Sequence, residues 1–507
     1  MSHELLRDPL FGALGRNAHR RAISAGGRGW SYAELESAAR SLASHLVSLG
    51  VAPGVPVALV LQNSAEYVIS DLAIAALGAT KVPVNLMLSN DEISFIVSDS
   101  GARVCIIEAQ HMAAIASAAS GQPLPHLIVR DSSVESEWSR ALRSPELTEL
   151  PSCDPNDVGL IMYTGGTTGR PKGVMHRQRG LVMNLYSHMI ESELRADDIF
   201  LVTSPLPHSA GFFLQTALLK GATVVLEMGF DTDVVLDRIE RDRVSCLFMV
   251  PTMIYRLLDA VEARPGFDAS SLRTIIYGAA PIAVDRLRQG LRLFGPVFMQ
   301  IYAQSEAPNF LTRLRRDDYR LDEHASRLRS CGQSVIMAEV KIVRDDGSTC
   351  DPHEVGEVVA MSPYTMLGYL GRDEATAATL RDGWLHTGDL GYLDEDGYLF
   401  LVDRKNDMII TGGLNVYSSE VEQAMSQLEG VNEVAAVGVP HPDWGEAIVA
   451  FVVAGNQTLT ASSLLEATKP LLSSYKRPKR VVLVESLPTT AVGKINKKAL
   501  RGSSPAW

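Results

Sequence analysis

An α/β fold in more than one domain is what this sequence of 507 residues predicts, and three observations carry the prediction. The chain outruns the roughly 250–300 residues at which a single apolar core stops growing. Apolar runs of strand length alternate with amphipathic runs at helical spacing over most of it, the layout of sheets covered by helices. Around Asp403-Arg404-Lys405-Asn406-Asp407 the texture changes. The remainder carries apolar runs of its own at 434–439, 448–453 and 481–484, enough for a small second domain.

Each element has a local reason. Ser31-Tyr32-Ala33-Glu34 forms a capping-box pattern, after which Leu35, Ala38, Leu42, Leu46 and Leu49 recur at helical spacing. Residues 57–61 read as a strand with Pro56 at its start, and the alternation continues to a strand at 104–107. Proline, serine and acids make 143–157 a surface connection. Further strands are expected at 159–163, 199–202, 223–226, 246–250, 274–277 and 296–301, with helices at 233–241 and 284–293. There is no internal repeat and no low-complexity tract.

Composition excludes several classes. Apolar residues make up 46% and charged residues 21%, as in ordinary globular proteins. The net charge of −12 argues against general nucleic-acid binding. The excess is uneven, because residues 473–507 hold eight Lys/Arg and the single acid Glu485. Cys105, Cys153, Cys246, Cys331 and Cys350 are scattered and include no C-x-x-C pair, so neither a zinc site nor a disulfide framework is expected. The pattern suits a reducing cytosol. The amino terminus lacks a signal-peptide pattern, no apolar run reaches the ~20 residues of a membrane span, and the last residues are no peroxisomal address.

The chemistry gathers at Tyr163-Thr164-Gly165-Gly166-Thr167-Thr168-Gly169-Arg170-Pro171-Lys172-Gly173-Val174. An apolar strand leads into six residues of glycine and threonine, and a lysine follows. Glycines let backbone N–H groups approach an anion, threonine hydroxyls add donors, and Lys172 adds a full charge. That is a phosphate cradle. It is not a Walker A loop, because Lys172 follows proline and precedes glycine. A solvent loop between two core elements is the bland alternative, and it has no need of hydroxyls beside a lysine.

This stretch resembles the phosphate-loop signature of the adenylate-forming superfamily, which includes acyl-CoA synthetases, amino-acid adenylation domains and firefly luciferase-like enzymes. Gly165 stands where the family often has serine. The resemblance runs from about residue 8 to 501. It implies a large multi-subdomain amino-terminal α/β domain (1–405) with mixed sheets packed by helices, and a small mobile α+β lid (406–507). Asn406 occupies the family's hinge position, usually aspartate or lysine. Gly278, Ala279 and Ala280 would line the adenine and acyl pocket through their backbone. In Tyr302-Ala303-Gln304-Ser305-Glu306, the family's Tyr-Gly-x-Thr-Glu, Tyr302 would stack on adenine, Ser305 would meet a phosphate, and Glu306 would bind Mg²⁺. Asp389, in Trp384-Leu385-His386-Thr387-Gly388-Asp389, would grip the ribose, and Arg404 the ribose or phosphate. Gly412 and Gly413 match the loop beside the pantetheine channel. Lys494, in Gly493-Lys494-Ile495, matches the lysine that stabilises charge during adenylation. His208, in Pro205-Leu206-Pro207-His208, occupies the place where the family often has an aromatic gate beside the acyl carbonyl.

The expected function is an AMP-forming acid–thiol ligase using ATP, Mg²⁺ and coenzyme A. Ser209 stands where amino-acid adenylation domains usually hold aspartate. The stretches 208–215, 278–282 and 302–310 contain no Lys or Arg, while Phe212, Phe213, Leu214 and Phe310 would form an apolar wall. The substrate is therefore expected to be a hydrophobic monocarboxylic acid: aromatic, alicyclic or fatty. No nucleic-acid partner is expected, and a homodimer is compatible with this reading. Two alternatives stay open: acyl transfer to a carrier protein or another acceptor, and a non-catalytic nucleotide-binding relative.

Overall fold

The computed structural model describes residues 4–116, 125–130, 133, 136–164, 170–321, 325–405, 407–455, 459–490 and 495–504. Its residues divide into two compact units, one of 1–340 with 360–385 and the other of 341–359 with 386–507. The hinge position, Asn406, lies outside the described residues.

The first unit is built on two sheets. A nine-stranded sheet has a parallel centre (Phe298–Gln304, Thr274–Tyr277, Cys246–Met249, Ile199–Val202, Thr223–Leu226, Arg21–Ala25) with antiparallel strands at both edges. A seven-stranded sheet runs Gly368–Tyr369, Lys172–Arg177, Val158–Thr164, Thr80–Pro83, Pro56–Val60, Val104–Glu108, His126–Arg130. Its central strands are buried on both faces, and alternate side chains enter different cores. Val57, Leu59 and Ile106 join the main core with Ile23, Val224 and the helical Leu35, Leu72 and Phe213. Ala58, Val60 and Ile107 join a second core with Ile93 and Ile96 of helix Asn90–Asp99. Period-two burial under helices on both sides is what near-continuous apolar strands specify.

Local signals behave as the sequence expects. Ser31 Oγ accepts the Glu34 amide at 3.1 Å and Glu34 Oε2 accepts the Ser31 amide at 2.6 Å, so helix Tyr32–Ser48 starts on a complete capping box. Such a cap contributes about 1 kcal/mol. Strands Ile199–Val202, Thr223–Leu226 and Thr274–Tyr277 have the expected bounds.

In the second unit, residues 389–393 pair antiparallel with 399–404. A five-stranded sheet holds Leu414–Val416, Ile409–Thr411, Gly445–Ala454 and Val431–His441 in that order, with Arg480–Val484 parallel to Gly445–Ala454. Ile448, Ala450 and Val452 pack against helices Ser418–Ser426 and Ala461–Ala467 through Val421, Met425 and Leu464. Val449 and Phe451, on the opposite face, pack with Leu487 and Leu500.

Candidate active site

In the first unit the site is assembled around one strand and one hairpin. Strand Val158–Thr164 delivers Thr164 and strand Lys172–Arg177 delivers Lys172, and the two are cross-strand partners. The mouth of the Gly165, Gly166, Thr167, Thr168, Gly169 loop is thereby clasped, although those five residues lie outside the described ones. Glycine at 173 is required, because a Cβ there would stand 2.8 Å from Ile161 Cγ2 and 3.0 Å from Tyr163 Cζ.

Lys172, Val174 and His176 share one face of their strand. Lys172 Nζ sits 4.8 Å from the ring centroid of Tyr369. The short strand Gly368–Tyr369 pairs with Val174 and Met175, and the Leu370 amide donates to the Gly173 carbonyl at 2.8 Å. The Tyr369 hydroxyl donates to Glu306 Oε1 at 2.6 Å, and the Met366 amide donates to the Glu306 carbonyl at 2.7 Å. Burial, reinforced by the Glu306 carboxylate, pushes the Tyr369 hydroxyl above its ordinary pKa, so it stays a donor. His176 Nε2 lies 2.9 Å from the Ser305 carbonyl, and burial lowers its pKa to about 4. Lys172, Tyr369, Glu306 and Ser305 thus meet in one place.

Ser305 and Glu306 occupy the turn between strands Phe298–Gln304 and Ala307–Leu314. The register shifts between Tyr302 (opposite Thr312) and Gln304 (opposite Ala307), so Ala303 on one strand faces the longer stretch 308–311 on the other. Beside this hairpin, Gly278 presses its backbone on the neighbouring strand; a Cβ there would lie 2.8 Å from the Ile301 carbonyl. Ala279 adopts φ 69°, left-handed backbone that alanine rarely takes, and Ala279 and Ala280 are exposed. The 278–280 segment and Tyr302 are therefore neighbours.

His208 lies in a single wide turn, Leu206–Ala210, with φ −116° and ψ −150°. Its Nε2 is 3.0 Å from the Asn85 amide nitrogen. Phe212 is half-buried. Phe213 and Phe310 have no exposed surface and pack with Phe212 around the buried imidazole of His188. Phe213 and Phe310, expected in the pocket wall, are instead core residues with no surface to offer a ligand, because they pack on His188 and on each other.

In the second unit, Asp389 and Arg404 are cross-strand partners, with Arg404 Nε 3.4 Å from Asp389 Oδ1. Thr387 Oγ1 donates to the Val358 carbonyl at 2.7 Å and accepts the Asp389 amide at 3.1 Å, which fixes the Thr-Gly-Asp turn. Gly412 and Gly413 form the two-residue turn of a hairpin, at φ 58° and 78°, where paired left-handed residues favour glycine. The Gly412 amide donates to the Trp444 carbonyl at 2.8 Å. Lys494 lies outside the described residues; the Thr489–Ile495 bridge and the Asn496 amide, bonded to the Pro488 carbonyl at 2.7 Å, close the ends of its loop.

A lysine and a carboxylate beside a threonine-glycine loop suit a magnesium-bound triphosphate, and an aspartate fixed in a turn suits vicinal hydroxyls. The AMP-binding enzyme family matches residues 11–370, and its C-terminal domain matches residues 420–494. The chain belongs to this family. Like its relatives in the adenylate-forming superfamily, it is an acid–thiol ligase of the AMP-forming kind. A feruloyl-CoA synthase of Amycolatopsis sp is 38% identical over 486 residues, covering 95% of this chain and 96% of its own. The medium/long-chain-fatty-acid–CoA ligase FadD8 of Mycobacterium tuberculosis is 34% identical over 526 residues, covering 99% and 91%. Among solved structures, ATP-bound MatB from Rhodopseudomonas palustris superposes with a TM-score of 0.91 at 28% identity, covering 99% of this chain and 98% of that one.

Within this AMP-binding enzyme, Tyr369, His176, Asn85, His188 and Asn309 belong to the site's surroundings without having been picked out by sequence. Tyr369 and Glu306 are 63 positions apart, and no local spacing links them. No described helix is long and apolar enough to cross a membrane.

Proposed function

We propose that this AMP-binding enzyme activates a hydrophobic monocarboxylic acid and transfers it to coenzyme A, with Lys172, Tyr369 and Glu306 at the phosphate end of the site. The meeting of those three side chains carries the proposal. The acid's oxygen attacks the α-phosphorus of ATP and pyrophosphate leaves. The thiol of CoA then attacks the acyl carbonyl and AMP leaves. Asp389 and Arg404 hold the ribose, Tyr302 and the Gly278, Ala279, Ala280 segment hold adenine, and Ser305 meets phosphate.

Mg²⁺ fits Glu306, whose carboxylate is the hard oxygen donor that ion takes. No group of three or more His, Cys, Asp or Glu suited to a metal exists among the described residues. The ion's other ligands would therefore come from the triphosphate and water. When bound, it neutralises phosphate charge.

CoA is supported by the second unit. The Gly412–Gly413 turn presents no side chain, so a thin thiol arm can pass close to its backbone. Next to it, Lys479 Nζ lies 3.8 Å from the centre of the partly exposed Trp444 ring, and a cation beside an aromatic face suits a phosphorylated nucleotide. Rotation of the small domain about Asn406 exchanges Lys494, needed for adenylation, for the glycine turn, needed for thioester formation.

The acid is read from the wall. Half-buried Phe212 follows His208 and Ser209 closely in the chain, and no Lys or Arg in the pocket stretches could pair a second carboxylate. The feruloyl and fatty acyl groups in the names of the two relatives above agree with that. A panel of carboxylic acids assayed for AMP release, with and without CoA, tests the reading. Aromatic or fatty monoacids should release AMP only when CoA is present. A diacid as best substrate by kcat/KM would refute the pocket assignment, and release without CoA would refute the acceptor.

A further inference from the structure

Behind the acyl wall lies a buried polar network that an apolar core does not need. His188, on helix Gln178–Glu191, has no exposed surface and is surrounded by Phe212, Phe213 and Phe310, at centroid distances of 5.8, 5.1 and 4.8 Å. Its Nδ1 lies 2.8 Å from the Asn184 carbonyl, which can only accept, so Nδ1 carries the proton. Nε2 is then an acceptor, and the Asn309 amide nitrogen donates to it at 2.9 Å. The same nitrogen donates to the Ser209 carbonyl at 3.2 Å. Asn309 achieves this with φ 66°, a left-handed conformation that asparagine takes more readily than most residues. A second clamp, from the Asn184 amide nitrogen to the Pro308 carbonyl at 2.8 Å, ties the helix to the same strand. Burial lowers the His188 pKa to about 4, which keeps the ring neutral and its acceptor available.

The Leu206–Ala210 turn is consequently held by two asparagines. Asn85 meets the imidazole of His208, and Asn309 meets the backbone one residue later. Among the described residues, neither side chain of His188 and Asn309 is hydrogen-bonded to a side chain assigned to nucleotide binding.

We propose that His188 and Asn309 are positioning residues that fix the His208–Ser209 segment and thereby set which acids the pocket accepts. This rests on the reading that His208 and Ser209 face the acyl group. His188 acts through its acceptor nitrogen, and a phenylalanine of similar volume could not replace it.

Three variants of the full chain test this. His188→Phe keeps the ring and removes the acceptor. Asn309→Gly removes both hydrogen bonds while tolerating the left-handed backbone. His188→Gln keeps a donor and an acceptor and serves as the rescue. Hydrogen–deuterium exchange of the 206–213 peptide should accelerate in the first two and stay near wild type in the third. Across acids of graded size, KM for the acid should rise by at least about 10-fold in the first two with the ranking of acids altered, as expected when a binding surface shifts. ATP affinity, measured by calorimetry, should stay unchanged. Unaltered exchange in a folded Asn309→Gly protein would overturn the proposal, as would accelerated exchange with an unchanged acid ranking. An equal loss of ATP affinity would assign the network to general folding and refute it also. If the wild-type protein releases no AMP with any acid, the ligase reading fails, while the exchange measurement still decides whether the network holds the turn.

Discussion

Replacing Tyr369 with phenylalanine deletes one hydroxyl and leaves the ring under the Lys172 ammonium, 4.8 Å from its centre. The hydroxyl's lost contacts are the 2.6 Å hydrogen bond to Glu306 Oε1 and one with the Thr379 side chain. A hydrogen bond to a charged group contributes about 1.5–3 kcal/mol. Removing a partner that orients a metal-holding carboxylate costs roughly 10–100-fold in metal affinity. At about 1.4 kcal/mol per tenfold the two figures coincide, so the Mg²⁺ midpoint should rise by one to two orders of magnitude. The assay is acid-dependent pyrophosphate exchange over a Mg²⁺ titration, paired with calorimetric ATP binding in EDTA. ATP affinity without metal should be nearly unchanged in Tyr369→Phe, and weaker in Tyr369→Leu, where the cation–ring contact goes too. A Tyr369→Phe protein with the wild-type Mg²⁺ midpoint would refute the idea that the hydroxyl orients Glu306. Equal loss of ATP affinity with and without metal would place its effect on the fold.

Lys494→Ala should abolish acid-dependent pyrophosphate exchange yet largely spare thioester formation from supplied acyl adenylate; equal loss of both would contradict its role in the first half-reaction alone. Ala279→Gly should relieve left-handed strain worth about 1–2 kcal/mol, offset by up to about 1 kcal/mol of extra freedom in the unfolded chain. A small rise in Tm is expected, and a fall would mean Ala279 is not strained. Stability should also depend on pH through His176 and His188, both lowered to about 4 by burial. Their folded pKa lies below the unfolded value of about 6.5, so the unfolded chain binds the extra protons. Their contribution is complete above that value and is lost as pH falls toward 4, at up to about 1.4 kcal/mol per pH unit for each histidine. Urea midpoints at successive pH values would show the slope, and a flat profile from pH 6.5 to 4.5 would contradict it.

Much of this molecule is legible in its sequence because the signals are local. The Ser31–Glu34 cap, the parallel strands and the division into a large and a small part each depend on neighbours within a few positions or on composition. Lys172 and Glu306 were reachable through motifs. The partners that orient them were not, since Tyr369 meets Glu306 across 63 positions and Asn309 meets His188 across 121. Nothing in either segment's spacing marks the pairing. Phe213 and Phe310 illustrate another limit: an aromatic residue has the same hydrophobic signature whether it faces a ligand or backs the residue that does. The hydrogen bonds that the His188 ring makes likewise leave no mark on the periodicity of its helix.

The hairpin of Phe298–Gln304 and Ala307–Leu314 has a mechanical consequence. One hairpin carries Glu306 at its tip and, three residues on, Asn309, whose amide nitrogen donates to the Ser209 carbonyl. On the proposed function, an ill-fitting acid that pushed on the wall would also tilt the Glu306 carboxylate at the phosphate end. Misfit would then slow the chemistry as well as weaken the grip, and a wrong acid could be rejected after it had bound.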